Sequence, residues 1–203
     1  MIFKKINETI KGIDIDSIPE ERKEILQSLI EYIQNKMELG ENVNLNFICT
    51  HNSRRSHLAQ IWAQTMASFF NINNVFCFSG GTEATALYTS SKETLEKVGF
   101  KFEITTEEEN PRYQIFFSDE EQPLVGFSKT YDHASNPSSN FAAIMTCSQA
   151  DENCPFIAGA EKRIPITYED PKLYDNTSKA KKKYKERSLQ IATEMFYVFS
   201  EID

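Results

Sequence analysis

The spacing of apolar and polar positions cuts the chain into segments of helical and strand period. Residues 1–42 are helical in pattern. Pro19 with Glu20 and Glu21 opens a helix, with Ser17 nearby as a cap. Ile25, Leu29, Tyr32, Ile33 and Met37 then recur at helical spacing, and Gly40 marks the stop. VNLNFI, 43–48, is a short strand that ends at Cys49. In SHLAQIWAQTMASFF, Leu58, Ile61, Trp62, Met66 and Phe69 share one helical stripe. NVFCFS, 74–79, is a second strand, broken by GGTEA, and a second helix of this region covers about 87–98. YQIFF and LVGFSKTY suit a hairpin around SDEEQP, and DHASNPSSN is a polar loop. NFAAIMT, 140–146, is a buried strand ending at Cys147; SQADEN then separates Cys147 from Cys154. RIPI is a further brief strand, and a last helix covers about 177–200, with Thr177 or Ser178 as its cap.

Strands alternating with helices point to an α/β fold with a mainly parallel sheet. Ligands of such sheets sit beyond the carboxyl ends of the strands. Cys49 and Cys147 each close a strand, so both are expected at one crevice. The 203 residues, 40% hydrophobic and 26% charged, suffice for one domain with a proper core. A net charge of −8 without a long basic run argues against nucleic acid as a partner. No stretch of about 18 apolar residues offers a membrane span. MIFKKINETIKGID lacks an apolar signal core, so a cytoplasmic location is expected. In that reducing compartment four cysteines are core, redox or catalytic groups rather than a disulfide scaffold.

CTHNSRRS, 49–56, carries the chemistry. Cys49 and Arg55 form a C-x5-R pattern between a strand and an amphipathic helix. Such a turn aims successive N–H groups into one concavity, and the helix adds its positive end. A tetrahedral oxyanion fits there, held bidentately by Arg55. The same field stabilises a thiolate at Cys49, to which Ser56 can donate a further hydrogen bond. The result is a nucleophile beneath a bound anion. Thr50, His51, Asn52, Ser53, Arg54, Arg55 and Ser56 are the candidate oxyanion ligands. C-x5-R alone is common by chance; the flanking strand and helix give it weight.

These residues resemble a known family. CTHNSRRSHLAQ is similar to the C-x-G-N-x-C-R-S pattern of low-molecular-weight protein tyrosine phosphatases and thioredoxin-coupled arsenate reductases. SGGTEA resembles the family's S-A-G-T stretch after its second strand, and TYEDPK its Asp-Pro loop. The three come in the family's order, within about 43–202. The resemblance implies a flavodoxin-like, doubly wound, four-stranded parallel sheet with helices on both faces, and Asp170 as general acid. It leaves 1–42 as an N-terminal helical extension to a 43–203 domain, with an insertion at about 111–139. His51 stands where the family has glycine and Arg54 where it has a second cysteine. Histidine tolerates a left-handed backbone better than most residues. Gln60 replaces a glutamate that helps hold potassium in some arsenate reductases.

The arsenate reductase branch also carries a cysteine closing a later strand and another seven positions on, before proline. Cys147, Cys154 and Pro155 match that arrangement. The other reading of these two is buried structural thiols. A zinc site would want closer ligand pairs and more histidines, so no metal is expected. The resemblance to that branch implies arsenate reduction: Cys49 attacks arsenate, Asp170 protonates the leaving oxygen, Cys147 displaces arsenite, and Cys154 passes the disulfide on to thioredoxin. No cofactor is required. The alternative is hydrolysis of phosphotyrosine proteins through a phosphocysteine, and a third reading is a non-enzymatic anion-binding module. Cys77 and Trp62 read as core. His57 and His133 read as surface or loop groups. Glu107 to Glu109 and the lysines of 179–185 read as solvated charge.

Overall fold

The computed structural model describes residues 1–153 and 156–202. Cys154, and the redox role expected for it, lies outside the described residues. The chain opens with α1 (Lys4–Lys11), a 3₁₀ turn (Ile15–Ser17) and α2 (Glu20–Glu38). Pro19 precedes α2, and Glu20 and Glu21 sit in its positive first turn. Gly40 ends it in a left-handed conformation, φ +69°, with Gly40 N–H bonded to Met37 O and Glu41 N–H to Lys36 O. The buried face of α2 is rotated from the expected one. Leu26 and Ile30 join Leu29 and Ile33 inside, whereas Ile25 is 42% exposed. Helical spacing fits both stripes; the tertiary partners choose between them.

β1 (Val43–Cys49), α3 (Arg55–Phe69), β2 (Val75–Gly81) and α4 (Thr89–Val98) follow. Next come β3 (Lys101–Thr106), β4 (Arg112–Phe116) and β5 (Leu124–Gly126), then β6 (Phe141–Met145) and α5 (Ser148–Asn153). β7 (Ala160–Pro165), a 3₁₀ turn (Pro171–Tyr174) and α6 (Ala180–Ser200) complete the chain. β2, β1, β6 and β7 form, in that order, a parallel sheet. Helices lie on both faces, but unequally. Leu45 and Phe47 of β1 join one core with α1, α2, α3 and α6, including Leu29, Trp62 and Phe199. On the other face Ile48, Ala143, Met145 and Cys147 pack against Ala150 of α5 and Ile157. Trp62 Nε1 donates to Ser188 Oγ at 3.0 Å, so even this core indole has a partner on α6.

The hairpin expected around 118–123 is present: β4 and β5 pair antiparallel, Tyr113 opposite Gly126. β3 adds a third strand over residues to which the sequence pattern assigned no element. Its residues are mostly exposed, so no apolar alternation marks it. The chain then returns to the main sheet. Gly81 N–H donates to Lys129 O, and Tyr131 N–H to Gly81 O, both at 2.9 Å. Element ends differ slightly from expectation. α4 starts after Tyr88, β2 runs on to Gly81, and α6 starts at Ala180. Thr177 Oγ1 accepts Lys179 N–H ahead of α6 instead of capping it. Among the described residues no helix is long and apolar enough to cross a membrane.

Candidate active site

The carboxyl ends of all four parallel strands meet at residues 49–55. β1 delivers Cys49, 3% exposed. The carbonyls of the next turn are drawn outward. Cys49 O accepts from Thr82 N–H at 3.1 Å, Thr50 O from Glu83 N–H at 2.8 Å, and Ser53 O from Tyr88 N–H at 2.9 Å. His51 O accepts from the hydroxyls of Ser128, at 2.9 Å, and Thr85, at 3.2 Å. The N–H groups of 51–55 have no partner among the described residues. Carbonyls out and amides in is the arrangement of an anion nest.

Asn52 holds the turn. It is the left-handed residue, φ +43°, and it is fully buried. Its Nδ2 donates to Ser56 Oγ at 2.9 Å, and its Oδ1 accepts Lys129 N–H at 2.9 Å. His51, in the family's glycine position, adopts no left-handed conformation, so its side chain carries no backbone cost there. Its Nε2 lies 3.6 Å from Glu83. Gly81 is the close neighbour that matters. A Cβ on it would meet Glu83 O at 2.4 Å, Thr50 O at 2.6 Å and Asn52 N at 2.7 Å. Only glycine lets the end of β2 lie against the turn.

The residues expected from the sequence to react surround this nest. Ser56 Oγ lies 3.1 Å from Cys49 Sγ, within reach of a hydrogen bond to the thiolate. Arg55, 9% exposed, donates through Nη1 to Tyr168 O at 3.0 Å and through Nη2 to Asp170 Oδ2 at 2.6 Å. Its Nε is buried and has no partner among the described residues. Asp170 caps the 3₁₀ turn after β7, its Oδ1 accepting Lys172 N–H at 3.0 Å. Cys147, just past β6, brings its Sγ to 3.4 Å from Thr50 Oγ1, and Ala150 N–H points at the same sulfur from 3.4 Å. Cys49 and Cys147 belong to one small apolar cluster.

Three expected ligands do other work through their side chains. Arg54 turns away from the nest. Its Nε donates to Tyr184 OH at 2.7 Å, its Nη2 to Asp175 Oδ2 at 2.8 Å, and its guanidinium lies 3.9 Å from the Tyr88 ring centre. It braces the turn against α6 and the Asp170 loop, a role the neighbouring arginine pair does not reveal in sequence. Ser53 Oγ donates to Ala86 O at 2.7 Å. Thr50 Oγ1 faces Cys147. Each keeps its main chain in the turn.

His57 corrects the surface reading. It is fully buried on α3, with Nδ1 3.3 Å from Ser79 Oγ. Burial, with Lys129 nearby, pushes its pKa down to about 3, so it is neutral. Cys77 is buried as expected, and burial pushes its thiol up.

No protein-family model matches the chain, and no curated protein does. Solved structures do match. A low-molecular-weight protein tyrosine phosphatase from T. tengcongensis is 14% identical, with a TM-score of 0.54; the match covers 79% of this chain and 100% of that one. A low-molecular-weight phosphotyrosine phosphatase from Vibrio cholerae O395 is 14% identical, with a TM-score of 0.50 over 78% of this chain and 95% of that one. An arsenate reductase from Archaeoglobus fulgidus DSM 4304 is 15% identical, with a TM-score of 0.49 over 77% and 98%. The chain shares the fold of the two phosphatases, and the fold alone does not choose a reaction.

Proposed function

We propose that the chain belongs to the low-molecular-weight phosphatase and arsenate reductase superfamily, and that it is a thiol enzyme reducing arsenate. The observation that carries oxyanion chemistry is the set of unpartnered donors at 51–55 together with buried Arg55 Nε. Buried polar groups are nearly always paired, so such a set argues for a ligand with several acceptor oxygens. Reduction rather than hydrolysis is supported by Cys147, a second thiol in the Cys49 cluster with no part in phosphate hydrolysis.

Arsenate seats in the nest and competes with Asp170 for Arg55. The Cys49 thiolate attacks arsenic; a sulfur–arsenic bond forms and an arsenic–oxygen bond breaks. Asp170, released by Arg55, supplies the proton and water leaves. Cys147 then attacks Cys49 Sγ. The sulfur–arsenic bonding pair stays on arsenic, which departs as arsenite, and a Cys49–Cys147 disulfide remains. Exchange with Cys154 frees Cys49 and leaves Cys147–Cys154, which thioredoxin reduces. The Asp151 side chain and carbonyl, both bonded to Arg163 Nη2, hold α5 beside β7 in the reduced protein.

Phosphomonoester hydrolysis is the second reading. Leu173, 79% exposed in the 3₁₀ turn that Asp170 caps, offers an apolar contact for an aryl leaving group. The two separate in one experiment: arsenate turnover with thioredoxin and its reductase, beside hydrolysis of p-nitrophenyl phosphate, for wild type and Cys147→Ser. The proposal expects arsenite release by wild type and none beyond background by Cys147→Ser, with any phosphatase rate kept. Phosphatase activity without arsenite release by wild type overturns it.

A further inference from the structure

A cavity of about 580 Å³ lies away from the nest, along the outer edge of β2, between α3 and the β4–β5 ribbon. Two cations line it. Lys129 is only 4% exposed, and its Nζ lies 4.6 Å from the centre of the Phe127 ring. The Arg112 guanidinium lies 4.4 Å from the same ring. Among the described residues neither has a carboxylate partner. Burial and Arg112 push the Lys129 pKa down to about 8. A buried cation beside a second cation is unfavourable unless an anion joins them.

The rest of the lining narrows what that anion is. Among the described residues Asn136 Oδ1 is a buried acceptor without a partner, whereas the Gln60 side chain is taken up by Cys77 O and His57. Phe76, 44% exposed, and Phe78 give an aromatic wall. A peptide strand fits poorly, because side chains already occupy the β2 edge. Gln64 bonds Val75 O at 3.0 Å and Cys77 N–H at 2.9 Å, and Gln60 bonds Cys77 O at 3.1 Å. Asn136 Nδ2 bonds Ser79 O at 3.0 Å. Such a cavity has the size of a small-molecule site.

We propose that this pocket binds a small aromatic monocarboxylate. The carboxylate sits between Lys129 and Arg112, and the ring packs against Phe76 and Phe78. A hydroxyl or amino group on the ligand would serve Asn136. A single negative charge suits a pair whose inner member holds its proton weakly. The inference does not depend on the reaction at Cys49, although Lys129 N–H bonds Asn52 and so lies against the nest.

Isothermal titration of the full chain with biphenyl-4-carboxylate tests it, with biphenyl-4-methanol as the neutral probe. Saturable binding of one carboxylate per chain is expected, at least about tenfold weaker for the alcohol and for both Lys129→Met and Arg112→Gln. Cys49→Ser and added inorganic phosphate should leave it unchanged. Arg112 is exposed, so its substitution keeps a test in hand even if Lys129→Met folds poorly. No saturable binding, equal affinity for the alcohol, indifference to Arg112→Gln, or displacement by phosphate would overturn the proposal; the last would assign the probe to the nest.

Discussion

In the proposed mechanism Arg55 serves two acceptors in turn. In the structure it holds Asp170 at 2.6 Å, and an oxyanion in the nest would need the same donor. On that proposal binding frees Asp170, the proposed acid, as it positions the substrate. Asp170→Asn should slow the first chemical step by roughly 10²–10⁴, with oxyanion binding retained, as single-turnover kinetics against equilibrium binding would reveal. A loss confined to binding would make Asp170 a loop residue. His57 sets the acid stability. Its pKa is about 3 against an ordinary 6.5, so below pH 6.5 the unfolded chain takes up a proton the folded chain refuses. Stability from this group is complete above pH 6.5 and is lost as pH falls toward 3, on the order of 5 kcal/mol in all. Urea midpoints at pH 7 and pH 4 should fall further for wild type than for His57→Gln. An equal fall would mean that His57 titrates normally. Cys49, Arg55 and Ser56 were legible because one short segment holds all three between a strand and a helix. His57 was not, because the groups that bury it come from β2 and from the segment at 129, far along the chain.

At the scale of elements, strand ends were read closely and helix faces less well. A strand that stops at a reactive residue is visible in sequence; which stripe of α2 faces inward depends on α6 and the sheet. β3 escaped because its residues are largely exposed. The junction of β2 with the nest is the element contact with least tolerance. Gly81→Ala would force apart Thr50 O, Asn52 N and Glu83 O, and should lower kcat/KM by roughly 10²-fold with the far-ultraviolet circular dichroism unchanged. Activity near wild type would show that the turn adapts. α5 carries a second prediction. Its six residues rise about 9 Å, whereas a disulfide tolerates Cα separations up to about 7 Å. Forming Cys147–Cys154 should therefore unwind part of α5. Hydrogen exchange over 148–153 should speed up after arsenate turnover, and unchanged protection would argue against that bridge.

At the scale of the whole molecule, the parallel sheet follows from alternating elements and from the three family-like segments. What could not be read is how the flanking segments attach. The first helices enter the main core: Ile6 and Ile10 are buried in the same cluster as Phe47 and Trp62. The 101–131 region forms its own small sheet and then a strap whose Ser128 and Lys129 bind the nest at His51 and Asn52. Nothing in the periodicity of those residues announces such long-range contacts. The nest, the acid loop and Cys147 thus come from four strand ends and a strap, and the account rests on their acting together as a reductase. Its most direct test is a thiol count. The reduced chain is exposed to arsenate without reductant, alkylated and mapped by mass spectrometry. The account expects arsenite released in amount equal to chain, two of the four thiols lost, and Cys49 recovered free. Four intact thiols with no arsenite, in a protein that still hydrolyses an aryl phosphate, would contradict it.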